Sequence, residues 1–169
     1  DGYFYVYATE STRNVPIMKS KDLVEWTYCN TAFTNKTRPR FEPKAGIWAP
    51  DINYINGKYV LYYAMSVWGG EQTCGIGVAT ADSPQGPFTD HGKMFRSNEI
   101  GVQNSIDPSL LQYEGRNYLV WGSFRGIYVI ELTADGLSIM PGAKKKRIAG
   151  TAFEAVYIHK HGDYYYMFA

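Results

Sequence analysis

Several residue types that define common protein classes are scarce in this sequence. Its 169 residues include only two cysteines, Cys29 and Cys74, so the sequence carries no disulfide framework. Lys and Arg number 17 against 16 Asp and Glu, and this balance gives no reason to expect nucleic acid or an anionic membrane as a partner. No apolar run approaches the length that a membrane-spanning helix needs. The three histidines, His91, His159 and His161, lack the spacing of paired metal ligands.

Aromatic residues, by contrast, are abundant, with 15 Tyr, 8 Phe and 4 Trp. Aromatic side chains favour β-strands, and no long amphipathic helical pattern accompanies them. Their flat faces can also stack on sugars, although packing between sheets accounts for most of them. The composition therefore favours one β-rich domain, and 169 residues are enough to bury a hydrophobic core.

A tight turn followed by an aromatic strand recurs four times along the chain. The turn glycines are Gly2, Gly57, Gly115 and Gly162, at intervals of 55, 58 and 47 residues. Asn-Gly and similar pairs favour hairpins because these turns need positive φ. A loose period of about fifty residues with several strands in each repeat is typical of β-propeller blades.

The pattern predicts further strands between these turns. Residues 74–80 and 126–132 are predicted as middle strands, and residues 20–26 and 82–90 as outer strands. The basic run at residues 144–147 is interpreted as a solvated loop or as the charged guard of a sheet edge.

An acidic residue precedes the first strand of three repeats. Asp51, Asp107 and Glu154 lie 6, 8 and 8 residues before their turn glycines. If these strands are the innermost strands of successive blades, their starts converge at one end of the central axis, and the three carboxylates converge with them. Asp51 has two interpretations, because it could line the resulting funnel or cap the loop after Pro50.

Three motifs carry a resemblance to a known family. They are Trp48-Ala49-Pro50-Asp51, Asn104-Ser105-Ile106-Asp107-Pro108 and Phe153-Glu154-Ala155-Val156-Tyr157-Ile158. In order and spacing they resemble landmarks of glycoside hydrolase family 43. Together with residues 122–124 and 157–166, they are most similar to its arabinan endo-1,5-α-L-arabinosidases, and the similarity covers nearly the whole chain. One departure is Val156, which stands where the acid motif of the family often has Pro.

The resemblance implies an all-β fold, a five-bladed β-propeller of which this chain contains about three blades. Residues 1–169 would form a partial catalytic domain, truncated at both ends. The implied activity is hydrolysis of α-1,5-linked arabinan with inversion, in which Glu154 matches the general acid. Asp107 matches the carboxylate that tunes the pKa of the acid and orients the sugar. Inversion also needs a carboxylate that activates water, and the repeat phase places this general base upstream of Asp1.

The candidate substrate-binding residues lie in or beside these motifs. They are Trp48, Asp51, Asn104, Ser105, Ser123 and Phe124, with Phe41 and Trp68 as further aromatic candidates for the cleft. Trp48 would form a wall of the pocket, whereas Asn104, Ser105 and Ser123 would donate hydrogen bonds to furanose hydroxyls. Each of these residue types also has an ordinary role in turns or in packing.

The expected substrate is arabinan or an arabino-oligosaccharide, and neither nucleic acid nor a membrane is expected as a partner. No cofactor is required and no residue is assigned to a metal, although the resemblance allows a calcium ion in the full-length protein. The expected location is extracellular or periplasmic. The alternatives are an arabinofuranosidase or β-xylosidase of the same family and a non-catalytic sugar-binding propeller, and endo and exo action stay open.

The chain by itself is expected to be inactive, because the general base would lie upstream of it. The sequence also predicts open blade faces at both ends, with aromatic strands near residues 3–7 and 164–168. Unpaired aromatic strands favour association, so the chain is expected to pair with missing blades or with a second copy.

Overall fold

The chain folds into β-strands with a single short helix, as seen in a computed structural model that describes residues 1–10 and 13–169. The elements are β1 (Phe4–Tyr7), β2 (Pro16–Ser20), β3 (Thr27–Thr31), β4 (Gly46–Ile55), β5 (Lys58–Ser66), β6 (Gly75–Ala81), β7 (Thr89–Arg96), α1 (Ser97–Ile100), β8 (Ser109–Tyr113), β9 (Arg116–Trp121), β10 (Ile127–Glu131), β11 (Lys146–Ala149), β12 (Tyr157–His161) and β13 (Tyr164–Phe168). The described helix is too short to cross a membrane.

The strands form four antiparallel sheets that follow one another along the chain. The first sheet contains β1–β3, the second β4–β7, the third β8–β11 and the fourth β12–β13. In each sheet, sequential strands are hydrogen-bonded neighbours, which is the up-and-down arrangement of a propeller blade. Two sheets therefore have the four strands of a complete blade, and the other two have three and two strands.

Tight turns join the first two strands of the complete sheets, as the sequence predicts. Asn56 and Gly57 have φ values of 49° and 84°, and Glu114 and Gly115 have values of 49° and 73°. Positive φ at both central residues is the signature of the type I′ hairpin turn, whose twist matches the twist of the strands that it joins.

The first strands of successive sheets lie side by side. β8 contacts both β4 and β12, although each of these strands belongs to a different sheet. β8 is therefore the neighbour of both β4 and β12, and this arrangement brings residues that are far apart in sequence to one place.

The hydrophobic core lies between the sheets rather than within one of them. Successive side chains of a strand point to opposite faces, and β5 uses both. Leu61 and Tyr63 belong to a cluster with Ile17 of the first sheet. Tyr62 belongs to a second cluster with Trp121 of the third sheet. The second sheet is therefore fixed on both faces by burial of apolar and aromatic side chains.

Two outer strands differ from the sequence prediction. The outer strand of the first sheet is β3, whereas residues 20–26 form a turn in which the Asp22 carboxylate accepts the N–H groups of Val24 and Glu25 at 2.9 Å. Likewise, most of residues 82–90 precede β7, which begins at Thr89. Asp and Ser satisfy backbone N–H groups locally and so favour turns over strands. The basic run does guard an edge, because it leads into the edge strand β11.

The close packing of β6 on Tyr63 gives a testable prediction. A Cβ atom at Gly77 would lie 2.3 Å from both Cζ and Oη of Tyr63, and the Tyr63 hydroxyl is held by a 2.5 Å hydrogen bond to Asp90. Gly77→Ala is therefore expected to lower the free energy of unfolding by about 1–3 kcal/mol, measured by denaturant unfolding. Gly150→Ala is the matched control, because its Cβ would meet only Phe153, at 4.0 Å, and it should leave stability nearly unchanged.

Candidate active site

A backbone kink recurs within β4, shortly before β8 and shortly before β12. Ala49, Asp107 and Ala155 have φ values of 44°, 57° and 52°, in the left-handed region that residues other than Gly, Asn and Asp seldom adopt. Ala49 and Asp107 each precede a proline, which restricts their backbone further. Kinks of this kind are maintained only when the surrounding structure holds them, and they concentrate at functional sites.

The turn positions in the structure correct the alignment of the three acidic residues that the sequence spacing predicted. The turn between β12 and β13 is Gly162-Asp163, so Gly162 occupies the first turn position, whereas Gly57 and Gly115 occupy the second. Counting from equivalent turn positions aligns Asp107 with Ala49 and Ala155. The three acids therefore stand at three different positions of the repeat and not at one.

The residue before each kink is equivalent in the same way. This position is held by Trp48 in β4, by Ile106 before β8 and by Glu154 before β12. All three side chains line one cavity of about 550 Å³. Asp107 lines the same cavity, so the fold brings the two motif carboxylates, Asp107 and Glu154, together with Trp48.

Most of the remaining candidates also reach this cavity. Asn104, Ser123, Phe124 and Trp68 line it. Trp68 is 96% exposed, and Phe124 is exposed as well. The cavity therefore has an acidic centre and aromatic walls that are open to solvent.

Ser123 and Asn104 hold the acidic centre in place. The Ser123 hydroxyl donates to Glu154 Oε2 at 3.1 Å, and an isolated antiparallel bridge joins the backbones of the same two residues. Asn104 Nδ2 in turn donates to the carbonyl oxygen of Ser123 at 2.9 Å. Glu154 precedes β12, and these bonds tie it to the loop after β9.

Asp107 lies in an environment that disfavours its charged form. Burial and, to a smaller extent, the nearby Glu154 carboxylate raise the pKa of Asp107 to about 6, against the opposing effect of the hydrogen bond from the backbone N–H of Ala155. Desolvation and like charge both favour the neutral carboxyl. A proton can therefore reside on this carboxyl at weakly acidic pH, where an ordinary aspartate would be ionised.

Ser105 and Phe41 are two of the three candidates that do not reach the cavity. Ser105 is fully buried, and its hydroxyl donates to the Val102 carbonyl oxygen at 2.7 Å and accepts Trp121 Nε1–H at 3.1 Å. Its hydrogen bonds are made within the protein, so the structure gives Ser105 a place in the core instead of a contact with sugar. Phe41 is likewise directed elsewhere and stacks on Tyr63.

Asp51 is also set apart from the main cavity. It lines a smaller cavity of about 170 Å³ that Ala49 and Asp107 border as well. Asp51 Oδ2 accepts the Leu110 N–H at 2.8 Å and Asn53 Nδ2–H at 2.7 Å. Burial raises the pKa of Asp51 to about 6 against the effect of these two hydrogen bonds.

One residue of this site, Glu71, was not among the residues predicted from the sequence. Its carboxylate lines the main cavity and accepts two hydrogen bonds from Arg125, each 3.0 Å long. Its carbonyl oxygen accepts the Asn104 N–H at 2.7 Å. Glu71 thus joins the loop after β5 to the motif loop. The available signal was the Trp68-Gly69-Gly70 segment, because an exposed aromatic beside two glycines indicates a shaped loop.

The described residues do not supply the side chains of a metal site. Residues 1–10 and 13–169 contain no group of three or more His, Cys, Asp or Glu side chains that could hold a metal ion. A calcium ion prefers six to eight oxygen ligands, among which carboxylates are prominent. The calcium ion that the resemblance allows in the full-length protein stays a prediction.

Comparison with known sequences supports the family resemblance. Residues 1–169 match the sequence profile described as glycosyl hydrolases family 43. The extracellular endo-α-(1→5)-L-arabinanase 1 of Bacillus subtilis is 35% identical over 167 residues, which cover 92% of this chain and 51% of that protein. The chain thus spans about half the length of this relative.

Solved structures are similar over the whole chain. The α-L-arabinanase of Cellvibrio cellulosa complexed with arabinohexaose has a TM-score of 0.84 at 28% identity, over 99% of this chain and 60% of that one. An exo-1,5-α-L-arabinanase from a bovine ruminal metagenomic library has a TM-score of 0.83 at 32% identity, over the same shares. These arabinanases are five-bladed β-propellers, so the predicted fold class is confirmed.

The environment of Asp107 gives a prediction about stability and pH. Its pKa is about 6 in the folded chain and near 3.9 in an unfolded chain. The stabilisation from its proton is therefore present below about pH 4 and is lost as the pH rises through about 6. Asp107→Asn should remove this loss and raise the free energy of unfolding at pH 7, relative to pH 4, by up to about 3 kcal/mol.

Denaturant unfolding at pH 4 and pH 7 measures this difference between the variant and the unsubstituted chain. Asp22→Asn is a control of opposite sign, because backbone N–H groups of Glu25 and Val24 lower the pKa of Asp22. That control should lose stability at pH 7. Equal pH dependence of the Asp107→Asn variant and the unsubstituted chain would contradict the proposed environment.

Proposed function

Given that this chain belongs to the glycosyl hydrolases of family 43, we propose that the protein hydrolyses α-1,5-linked arabinan with inversion. Glu154 is the general acid in this proposal, and Asp107 is the carboxylate that acts beside it. The observation that carries the proposal is the meeting of these two acids from different sheets in one cavity with aromatic walls. The arabinohexaose complex of the Cellvibrio cellulosa relative supports an arabino-oligosaccharide as the substrate.

Two features of Glu154 support its proposed role of protonating the leaving oxygen of a bound sugar. Its side chain is exposed at the cavity, and the Ser123 hydroxyl holds Oε2. This hydrogen bond fixes the carboxyl while Oε1 stays available for the glycosidic oxygen. Proton donation from a positioned carboxyl is worth about 10²–10⁴-fold in rate.

Asp107 contributes through its charge and its position. Because the two carboxyls repel each other, the pair keeps a proton to a higher pH than an isolated carboxyl would. The partly buried location of Asp107 strengthens this effect, since desolvation also opposes ionisation. The pair can therefore hold a proton at weakly acidic pH.

The aromatic walls suit a sugar chain. Trp48, Trp68 and Phe124 line the cavity, and their apolar faces can pack against the C–H groups of furanose rings. Trp68 has the most to gain, because almost its whole side chain is exposed without a ligand and burial of apolar area stabilises a complex. The polar hydroxyls of the sugar would then face Asn104, Glu71 and the acids.

The general base is assigned to a part of the protein outside this chain. Inversion needs a second carboxylate about 6.5–9.5 Å from the acid, on the other face of the sugar. Asp51 is not suited to this role, because it lines the small cavity and not the cavity that contains Glu154. The proposal therefore concerns the full-length protein, and the Bacillus subtilis relative, named extracellular, supports an action outside the cytoplasm.

Product analysis tests the proposed function. The full-length protein should release arabino-oligosaccharides of several lengths from linear arabinan, and proton NMR should show that the first products have the inverted anomeric configuration. The similarity to an exo-arabinanase favours one second candidate, exo action, which would release a single short product from the chain end. A retained configuration would contradict the inverting mechanism, and binding without any hydrolysis would identify a sugar-binding propeller.

Removal of the acid should have an effect that depends on the leaving group. Glu154→Gln in the full-length protein should lower kcat on arabinan by about 10²–10⁴-fold. The loss should be much smaller on an aryl arabinofuranoside, because a good leaving group needs little protonation. Glu114→Gln, the same change in the β8–β9 turn, is the control and should leave both rates intact. An equal loss on both substrates would contradict the assignment of Glu154.

A further inference from the structure

The Asp51 carboxylate is not used in the proposed chemistry, yet it makes specific contacts. Asp51 lies in β4, and its Oδ2 accepts the N–H of Leu110 in β8 at 2.8 Å. β4 and β8 belong to different sheets, so this hydrogen bond joins two blades. We propose that Asp51 is a positioning residue that fixes the start of β8 and thereby holds Asp107 beside Glu154.

The edge position of β8 explains why this strand needs a partner. β8 is the first strand of its sheet and is hydrogen-bonded to β9 alone. N–H groups on the open side of an edge strand have no partner within the sheet, and a buried N–H without a partner is unfavourable. Leu110 is buried, and the Asp51 carboxylate satisfies its N–H.

The segment between Leu110 and Asp107 is short and stiff. Only Pro108 and Ser109 separate the two residues, and both are buried. The proline ring fixes its own φ, and Asp107 itself has a φ of 57°. A backbone conformation of this kind has to be held by its surroundings, so a shift at Leu110 would be passed to Asp107 instead of being absorbed between them.

Two further observations place Asp51 at the right point. Asp51 and Asp107 border the same small cavity, together with Ala155 and Val156, which directly follow Glu154 in sequence. Asn53 Nδ2 donates to the same oxygen of Asp51 at 2.7 Å and so orients the carboxylate. The contacts therefore run from β4 through β8 to the start of β12, which are the elements that carry the site.

The anchor, which is the hydrogen bond from the Leu110 N–H to residue 51, depends on an oxygen acceptor and not on charge. An amide oxygen at position 51 could accept the same Leu110 N–H, whereas a methyl group could not. Asp51→Asn and Asp51→Ala both remove the charge, but only Asp51→Ala removes the anchor. Comparing these two variants therefore separates positioning from electrostatics.

The experiment is carboxyl carbon-13 NMR of the full-length protein, with the Asp107 signal assigned from an Asp107→Asn variant. In Asp51→Ala, the titration midpoint of Asp107 should fall from about 6 toward its ordinary value by about one pKa unit or more. Hydrogen exchange of the Leu110 amide should become about tenfold faster or more, because its protection is lost. In Asp51→Asn, both quantities should stay close to those of the unsubstituted protein.

Asp90→Ala is the matched control. The Asp90 carboxylate likewise accepts one side-chain donor, Tyr63 Oη–H, and one backbone donor, the Gly92 N–H, but it lies in β7 on the outer side of its sheet. Its removal should affect stability without moving the Asp107 titration. A shift of equal size in the two Asp51 variants would overturn the proposal in favour of a charge effect, and no shift in Asp51→Ala would overturn it outright.

A milder variant keeps the test decisive if Asp51→Ala fails to fold. Asn53→Ala leaves the Asp51 carboxylate in place but removes the donor that orients it. It should speed exchange of the Leu110 amide and lower the Asp107 midpoint by a smaller amount, and the absence of both changes would overturn the proposal. Although the inference rests on the proposed role of Asp107, these measurements need no arabinan turnover, so they stay informative if the proposed hydrolysis is wrong.

Discussion

Burial of both faces of the second and third sheets is the constraint on which the rest of the structure depends. Tyr62 and Tyr63 are neighbours in β5, yet they are buried in different clusters, one against each adjacent sheet. Because neither face is free, the second sheet cannot rotate without losing apolar contacts on one side. β4, β8 and β12 are therefore held side by side, and the site is assembled from β4 and from the loops that precede or follow the strands.

The site combines this rigid frame with carboxylates that are unfavourably placed. Asp51 and Asp107 both lie where burial raises the pKa, and a protein selected for stability alone would have little reason to keep them there. The aromatic and apolar clusters between the sheets offset this cost. Carboxyl groups whose pKa values are raised by burial concentrate at functional sites, and the kinked backbone at Asp107 belongs to the same compromise.

The sequence predicted the repeated parts of the structure well and the local exceptions poorly. Turn glycines and aromatic alternation carry physical information about φ and burial, so the hairpins at Gly57 and Gly115 and the propeller fold class are confirmed. The phase of Glu154 was one residue off, because Gly162 takes the first turn position instead of the second. A spacing rule alone cannot distinguish these two positions, whereas the backbone dihedrals can.

Other differences arise from contacts that join distant segments. Ser105 stands inside a motif, but its hydroxyl is used by Val102 and Trp121, and nothing local in the sequence reveals this. Glu71 belongs to the site through Arg125 and Asn104, which follow it by more than thirty residues. The catalytic roles of Glu154 and Asp107 stay predictions, since placement in one cavity is a condition for those roles and not a measurement of them.

The equivalence of Trp48, Ile106 and Glu154 has a consequence for how such a site can change. The same backbone turn presents an aromatic wall, an aliphatic filler and an acid to one cavity from three successive blades. The backbone thus sets where the side chain lies, whereas the residue type at that position sets its chemistry. Exchange of a residue at one of these positions would therefore change the lining of the pocket on an unchanged backbone turn.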